Sequence, residues 1–481
     1  MRTRLRSVLF VLTTAGAAGI VLNASVQQTD HSQVGSPTIR PITWTEIKPI
    51  VERLEEALPP SLSAIPPDER PTRWSGWLAD NRKDLARRVA QGDEDSVVNL
   101  FLFGTSFTKE PRITLNLLKE LDQRWKAGDP SAQDALTRHY QRRATDLIAA
   151  AADPQAGERM QDVRRVLAAH GHDVSTEAGR RSSNQYLFTS IARVHEEAAK
   201  LAAHLEAARG AADATTAFAE RSRVFRERGL SGDSSVLTQF AVDRAICGLR
   251  DRGVLGRPIE RVAIVGPGLD FADKQEGLDF YPPQSLQPFT LSDSLLRCDL
   301  AARRSLRMTT LDINPRVNAH LRRAAARASY RLVFPWNTGM GWTDEAAAYW
   351  KGAGDRIGTP FTVDGPGVLP GVRARGIAVA SDIVRMIRPL EASIVSDRID
   401  LPDRERFDLV VATNVLLYYD TFEQTLALGA IAAMLRPGGV LLTNDAVLEV
   451  PEIPMRSQGY TNVAFSDRQG DGERMIFYVR K

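Results

Sequence analysis

Two glycines separated by one residue follow a short apolar segment in the second half of the chain. The segment Arg261–Val265 has the composition of a buried strand, and Gly266 and Gly268 come directly after it. Glycine at such a turn lets a ligand approach the backbone closely at the carboxyl end of a strand. A binding site at one edge of a sheet is therefore the first chemistry that the sequence suggests.

The residues that follow this glycine turn bear on which ligand it could bind. A motif for a nicotinamide dinucleotide would carry glycine or alanine three residues after the second glycine, where the helix packs on the strand. Phe271 stands at that position. The sequence therefore disfavours a nicotinamide-dependent oxidoreductase.

Three more polar residues follow apolar segments that alternate with helical ones. Asp312 ends the second predicted strand, Asp397 follows a third strand predicted at residues 392–395, and Asn414 follows a fourth, Phe407–Ala412. Alternation of strands and helices predicts a parallel sheet, whose strands have their carboxyl ends at one edge. We therefore expect these side chains to converge with the glycine turn on one crevice.

Taken in order, these segments resemble those of class I S-adenosylmethionine-dependent methyltransferases. The resemblance implies S-adenosyl-L-methionine as the cofactor. It would place Gly266 and Gly268 beneath the methionine part, Asp312 at the ribose hydroxyls, Asp397 at the adenine amino group and Asn414 at the mouth of the pocket. No metal ion is implied.

The glycine turn departs from that family at two positions. The family usually carries an acidic residue two places before the first glycine and a third glycine after the second, where this chain has Ile264 and Asp270. Asp270 is then the candidate carboxylate for the methionine amino group. Because of this atypical turn, catalytic activity is not fixed by the sequence.

The chain predicts two folded domains. Residues 44–229 have helical spacing almost throughout and predict an all-α domain. Residues 230–481 predict an α/β Rossmann-like methyltransferase domain, a parallel sheet that ends in a C-terminal antiparallel hairpin. Two insertions, residues 270–289 and 330–380, are expected to be long loops over the strand ends, forming a lid or an acceptor pocket.

The N-terminus predicts a targeting segment. Arg2, Arg4 and Arg6 precede an uncharged, largely apolar stretch, so residues 1–24 predict a signal peptide or an N-terminal membrane anchor, with residues 25–43 as a polar linker. The protein would then be exported or attached to a membrane through this segment. If translation starts downstream, the protein would be cytoplasmic.

Composition limits the classes of partner. The 62 lysines and arginines nearly balance the 59 acidic residues, which gives no reason to expect a nucleic-acid partner. Hydrophobic residues at 43% and charged residues at 25% are typical of a globular protein. Cys247 and Cys298 do not match a zinc spacing and are most simply two small buried apolar groups.

The expected function is methyl transfer to a small-molecule or protein acceptor. Such a transfer is an in-line displacement that depends mainly on alignment, so a general base is optional. If one is needed, the candidates near the strand ends are Tyr418, Tyr419 and Asp445. Asn414 is a further candidate catalytic residue at the mouth of the pocket. The alternative is a catalytically inactive methyltransferase-like binding or scaffold protein that is exported to the cell envelope.

Overall fold

The computed structural model describes most of the chain after the predicted leader. The described residues are 37–129, 131–209, 225–226, 228–233, 235–256, 258–273, 277–363, 371–468 and 470–481. The chain divides into residues 1–37 and one compact unit of residues 38–481. The predicted leader, residues 1–24, lies outside the described residues. In the part of the chain that is described, no helix is both long and apolar enough to cross a membrane.

The helices fall into a long N-terminal series and a set interleaved with strands. The first series is α1 (Trp44–Arg53), α2 (Pro60–Ser63), α3 (Arg70–Phe103), α4 (Leu115–Lys126), α5 (Ser131–Ala152), α6 (Glu158–Ala169) and α7 (Glu177–Arg209). The second set is α8 (Val236–Asp251), α9 (Gln287–Arg297), α10 (Pro315–Arg327), α11 (Asp344–Gly352), α12 (Ser381–Arg385) and α13 (Thr421–Met434).

The strands form three sheets. In chain order they are β1 (Thr38–Pro41), β2 (Arg261–Val265), β3 (Arg307–Asp312), β4 (Tyr330–Asn337), β5 (Gly358–Phe361), β6 (Val372–Val379), β7 (Ile387–Glu391), β8 (Asp397–Asp400), β9 (Phe407–Ala412), β10 (Leu435–Thr443), β11 (Met455–Ala464) and β12 (Gly472–Arg480). The largest sheet has seven strands in the order β11-β12-β10-β9-β2-β3-β7.

The strand order of the large sheet is that of a doubly wound α/β fold. The strands β7, β3, β2, β9 and β10 are parallel to their neighbours, and their order corresponds to 3-2-1-4-5 of such a sheet. β12 then pairs antiparallel with β10, and β11 pairs antiparallel with β12. The predicted fold, a Rossmann-like parallel sheet that ends in an antiparallel hairpin, is confirmed.

The third strand of this sheet is not where the sequence predicts it. The prediction placed it at residues 392–395, whereas β7 occupies Ile387–Glu391 and the apolar residues after it belong to the following turn. Among the described residues, β7 pairs with β3 alone and is an edge strand, so Pro389 is tolerated inside it. An edge strand that contains proline lacks the continuous apolar run on which the prediction relied.

The insertion at residues 330–380 is not the long loop that was predicted. It contains α11 and a three-stranded antiparallel sheet in the order β4-β6-β5. Trp336 stacks on Trp350 with ring centroids 5.3 Å apart and also contacts Trp342, so its aromatic residues form a packed cluster. The described part of the insertion at residues 270–289 is largely irregular before α9 begins at Gln287.

Part of the predicted linker is also ordered. β1 pairs antiparallel with β8, and Arg40 forms an ion pair with Asp400 across the two strands. The prediction that residues 25–43 form only a polar tether is therefore wrong for β1. Its partner strand lies some 360 positions further along the chain, where local composition cannot reveal it.

The N-terminal helices pack directly against the sheet domain. The described residues between 44 and 209 are helical or irregular and contain no strand, in partial agreement with the predicted all-α domain. Trp77 of α3 stacks on Trp74 and meets Phe422 of α13 edge-on at 5.6 Å. The predicted boundary at residue 229 does not separate two compact units, because residues 38–481 form one.

The two cysteines do not remain separate apolar groups. Cys247 of α8 and Cys298, the residue after α9, form a disulfide that joins the two helices. The sequence prediction is corrected here. Two cysteines 51 residues apart give no indication of whether they meet, and α8 and α9 pack side by side only in the folded protein.

Candidate functional site

The glycine turn after β2 has a backbone conformation that glycine adopts without strain. Gly266 and Gly268 have φ angles of 63° and 70°, in the left-handed region. The N–H of Gly266 donates to the carbonyl of Leu311 at 2.8 Å, which ties the turn to the end of β3. A Cβ atom at position 268 would lie 2.2 Å from the carbonyl oxygen of Gly232. Both conformation and close approach therefore require glycine at position 268.

A crevice opens at the carboxyl ends of the strands. It lies beside β2, which has β3 on one side and β9 on the other, and this is the point where ligands bind in open α/β sheets. Its lining residues are Val89, Leu230, Ser231, Gly232, Asp233, Ser235, Thr238, Gln239, Val265, Gly266, Gly268, Gln287, Leu311, Asp312, Ile313, Asn314, Val317, Ala392, Ile394, Thr413, Asn414, Val415, Tyr418 and Tyr419. The structure thus brings together Gly266, Gly268, Asp312 and Asn414, as the sequence predicts.

Asp312 is the buried carboxylate of this crevice. It ends β3 and is 8% exposed. Burial raises its pKa to about 7, although the backbone N–H groups of Asn314 and Gly268 donate to it and lower the pKa in part. The Asn314 N–H lies 2.8 Å from Oδ1. The ionised carboxylate would accept further donors, which the hydroxyl groups of a ribose can supply.

Asn414 is held in a left-handed conformation at the mouth of the crevice. Its φ angle is 57°, which is uncommon for a residue other than glycine. Its backbone N–H donates to Asn444 Oδ1 at 2.8 Å, and Asn444 Nδ2 donates to Asn414 Oδ1 at 2.7 Å. Asn444 Nδ2 also donates to Glu473 of β12. The amide of Asn414 is therefore oriented by the strand next to its own and by the terminal hairpin.

Asp397 does not line the crevice, in contrast to its predicted contact with adenine. Its carboxylate accepts the N–H of Ser393 at 2.9 Å and forms an ion pair of 2.6 Å with Arg82 of α3. Because the third strand ends earlier than predicted, Ala392 and Ile394 reach the crevice in its place. The predicted position of Asp397 is therefore corrected.

Two other predicted carboxylates also lie outside the crevice lining. The backbone of Asp270 pairs with Gln284, and its side chain is 2% exposed, because the chain turns away from the strand end after Gly268. The side chain of Asp445 accepts the N–H of Leu417 at 3.1 Å and is likewise buried. Asp270 is thus not placed to bind the methionine amino group, nor Asp445 to act as a base in the crevice.

Both candidate tyrosines line the crevice. Tyr418 and Tyr419 follow Asn414 in a short 3₁₀ helix and the turn after it. Burial raises the pKa of Tyr419 well above its usual value, so its hydroxyl stays protonated at neutral pH. Tyr419 is therefore a poor base in this structure.

Several crevice residues carried no recognisable functional signal in the sequence. Asp233 lies in the segment before α8, and Gln239 and Gln287 lie in the first turns of α8 and α9. Gln287 Nε2 donates to Thr413 Oγ1 at 2.9 Å, which connects α9 to the residue before Asn414. The spacing of such neutral side chains within helices is indistinguishable from that of ordinary core positions.

Helix α3 covers one side of the crevice. Its Val89 is a lining residue, and Arg88, 1% exposed, donates from Nη2 to the carbonyl of Tyr418 at 2.8 Å. Asp93, one turn further along, accepts from Asn314 Nδ2 at 3.0 Å. The N-terminal helices therefore hold both the loop after β3 and the loop after β9.

Among the described residues, the charged side chains that line the crevice are all acidic. Asp233 and Asp312 are acidic, and no lysine, arginine or histidine is found in its lining. A ligand that carries positive charge is therefore favoured over a phosphate or a pyrophosphate.

Comparison with known proteins gives matches among solved structures only. No protein-family model and no curated protein matches this chain. The N-methyltransferase NodS from Bradyrhizobium japonicum WM9 is 12% identical, with 50% of this chain and 96% of that chain covered and a TM-score of 0.25.

Two further solved structures are similar to the same degree. Magnesium protoporphyrin IX methyltransferase (ChlM) from Synechocystis PCC 6803 is 14% identical, covers 51% of this chain and 81% of its own, and has a TM-score of 0.25. The glycopeptide N-methyltransferase MtfA is 11% identical, with coverages of 50% and 90% and a TM-score of 0.25. These identities and TM-scores are low, and the fold assignment depends on the order and direction of the strands.

The strand order and direction agree with the family resemblance of the sequence motifs. So do the glycine turn after the first strand of the sheet and the hairpin at the end of the chain. The fold of the sheet domain is therefore a Rossmann-like parallel sheet that ends in an antiparallel hairpin.

Proposed function

We propose that the crevice binds S-adenosyl-L-methionine and that the protein transfers its methyl group to an acceptor. The observation that carries the proposal is the convergence of Gly266, Gly268, Asp312 and Asn414 at the point where the sheet changes direction of winding. Asp312 would accept the ribose hydroxyls, and Gly266 and Gly268 would let the methionine part approach the backbone.

The residues fit this cofactor better than they fit a phosphate-containing nucleotide. A dinucleotide would place its pyrophosphate at the N-terminus of a helix that directly follows the glycine turn. Here α9 begins at Gln287, well beyond Gly268, and two carboxylates face the crevice. A sulfonium cofactor with an ammonium group has the charge that such a site favours.

The bound cofactor would supply an electrophilic methyl group, and the protein would align the acceptor with it. Apolar side chains of Val89, Leu230 and Val415 contribute to the walls of the crevice and would limit the access of water. Among the described lining residues no histidine is present to accept a proton, and Tyr419 stays protonated. An acceptor that arrives uncharged and with a free lone pair, such as a neutral amine, suits this site.

Calorimetric titration with S-adenosylmethionine, S-adenosylhomocysteine and NAD tests the binding step. The proposal predicts that both sulfur nucleotides bind and that NAD does not. Binding of NAD alone, or of none of the three, would overturn it.

The transfer step needs a separate measurement. Purified protein is incubated with S-adenosylmethionine labelled in its methyl group and with the small-molecule and protein fractions of a cell extract. Label should appear in one fraction with the native protein and not with Asp312→Asn. Cofactor binding without transfer to any fraction would favour the alternative, an inactive methyltransferase-like binding or scaffold protein.

The disulfide supports the proposal that the protein is exported. Disulfides persist mainly in oxidising compartments, and the Cys247–Cys298 bond joins two helices of the cofactor-binding domain. Thiol labelling of the protein in intact cells and in a cytosolic fraction tests this: protected cysteines outside the cytosol support export, and freely labelled cysteines in the cytosolic fraction contradict it.

A further inference from the structure

The segment from Leu230 to Asp233 is clamped between α3 and the glycine turn. The N–H of Leu230 donates to the carbonyl of Arg88 at 2.9 Å, and the N–H of Leu269 donates to the carbonyl of Gly232 at 2.7 Å. Helix α3 and the segment approach each other so closely that a Cβ atom at Gly92 of α3 would lie 1.9 Å from the Leu230 carbonyl oxygen. The segment is therefore a fixed part of the crevice wall.

Asp233, at the end of this segment, places a carboxylate beside the glycine turn. It lines the crevice, and Oδ1 accepts the N–H of Phe271 at 3.3 Å. The position two residues before Gly266 is occupied by Ile264, which is fully buried in β2. A carboxylate that is missing from the glycine motif in sequence is thus present beside it in space, and it comes from a different part of the chain.

The other polar side chains near this wall are neutral. Gln239 and Gln287 are each 2% exposed and line the crevice. Gln239 Oε1 accepts from Thr290 Oγ1 at 3.0 Å, which leaves its Nε2 to donate to a ligand. Gln287 Nε2 donates one of its two hydrogens to Thr413 Oγ1, which leaves the second for a ligand. Neutral amides and hydroxyls can hold a carboxylate without cancelling the attraction of Asp233 for a cation.

We propose that Asp233 binds the α-ammonium group at the amino-acid end of the cofactor, while Gln239 and Gln287 contact its α-carboxylate; this rests on the proposed function. Helix α3 then acts on cofactor binding through the clamped segment, which gives the N-terminal helices a role in the site. Asp312 holds the ribose and Asp233 the amino-acid end, so the two carboxylates recognise separate parts of one ligand.

Two ligands separate these roles in calorimetric titrations. S-adenosylhomocysteine has both the ribose and the amino-acid end, whereas 5′-methylthioadenosine lacks the amino-acid end. Asp233→Asn should weaken S-adenosylhomocysteine by about 10- to 30-fold and change 5′-methylthioadenosine by less than about twofold, because a charged hydrogen bond is lost only with the first. Asp312→Asn should weaken the binding of both ligands.

The matched control is Asp84→Asn, which removes an exposed carboxylate of α3 that pairs with Arg87. It should leave both affinities within about twofold, which is the scatter expected for a surface substitution. Equal weakening of both ligands by Asp233→Asn, or no weakening of either, would overturn the inference. Failure of the native protein to bind either ligand would instead overturn the proposed function.

A measurement on the native protein covers the case in which Asp233→Asn does not fold. An analogue of S-adenosylhomocysteine with a hydroxyl in place of the α-amino group cannot form the ion pair. We expect it to bind about tenfold more weakly, in line with the loss of one charged hydrogen bond. Equal affinities for the two compounds would contradict the role of Asp233, while still supporting a cofactor site.

Discussion

Two buried aspartates lie at opposite ends of the same sheet and have very different surroundings. Asp408, near the start of β9, accepts the N–H groups of Glu260 and Arg261 at 2.6 and 2.8 Å, and Arg436 forms an ion pair with it at 2.8 Å. Asp312, at the end of β3, receives backbone N–H groups but no ion-pairing cation within the described residues.

The difference indicates which end of the sheet is built to bind. Asp408 is 6% exposed and Asp312 is 8% exposed, so burial alone does not distinguish them. The protein supplies Asp408 with a cation and leaves Asp312 without an ion pair among the described residues, at the edge where the crevice opens. A buried carboxylate without a counter-charge costs stability unless a ligand stabilises its charge.

The largest expected effect is on ligand affinity. Asp312→Asn should weaken S-adenosylhomocysteine by about 100-fold or more, because two hydrogen bonds to a charged group are weakened together. Asp408→Asn should change that affinity by less than about twofold. Titration calorimetry on both variants measures the two values, and an equal loss in both would remove the distinction between the two ends of the sheet.

The two variants should have opposite effects on stability. Asp408→Asn loses an ion pair in a buried setting and should lower the free energy of unfolding by about 1–3 kcal/mol at pH 8. Asp312→Asn should raise it by about 1–3 kcal/mol, because the amide is not charged. Chemical denaturation without ligand measures both, and destabilisation by Asp312→Asn at pH 8 would contradict the proposed environment of this carboxylate.

Affinity should depend on pH through Asp312. Its folded pKa of about 7 lies above the unfolded value, so the carboxylate of the ligand-free protein is protonated below pH 7 and ionised above it. The ionised form accepts the ribose hydroxyls, and the affinity for S-adenosylhomocysteine should therefore fall about tenfold from pH 8 to pH 6. In Asp312→Asn this dependence should disappear.

The same shift has the opposite consequence for the protein without ligand. Because the folded pKa is raised, the destabilisation by the ionised carboxylate is fully present above pH 7 and is relieved as the pH falls toward the unfolded value. The stability difference between native protein and Asp312→Asn should therefore shrink as the pH falls from 8 to 5. A stability difference that grows at low pH would show that the pKa of Asp312 is not raised in the folded protein.

The smallest expected effect concerns the orientation of Asn414. Asn444→Ala removes both hydrogen bonds that hold its amide and its backbone N–H, and it should weaken S-adenosylhomocysteine by about threefold. Asn462→Ala on the terminal hairpin, where the amide only accepts from Arg474, is the matched control and should have no effect. Loss of affinity in both variants would point to a general change in the hairpin instead.

The sequence predicts the parts of the site that lie next to one another along a strand and its turn. Gly266, Gly268, Asp312 and Asn414 each follow an apolar strand directly, so strand periodicity and glycine chemistry were enough to place them at one edge. The prediction for Asp397 is wrong because β7 is an edge strand with Pro389 inside it, and its sequence is not a continuous apolar run. The predicted strand was therefore placed several residues too late in the chain.

The rest of the site depends on contacts between distant segments. Asp233 reaches the glycine turn only because α3 clamps the segment before α8, and Val89 enters the crevice from a helix that looks like any amphipathic helix in sequence. The pairing of β1 with β8 and the disulfide have the same character, because each joins positions whose local sequence does not specify a partner.

A crystal structure with S-adenosylhomocysteine, soaked well above its measured dissociation constant, tests the central claim most directly. We predict density in the crevice, with the ribose hydroxyls about 2.6–3.2 Å from the carboxylate of Asp312 and the amino-acid end beside Asp233. A crevice without density under these conditions, or a ligand bound at another part of the molecule, would contradict the assignment of this crevice as the cofactor site.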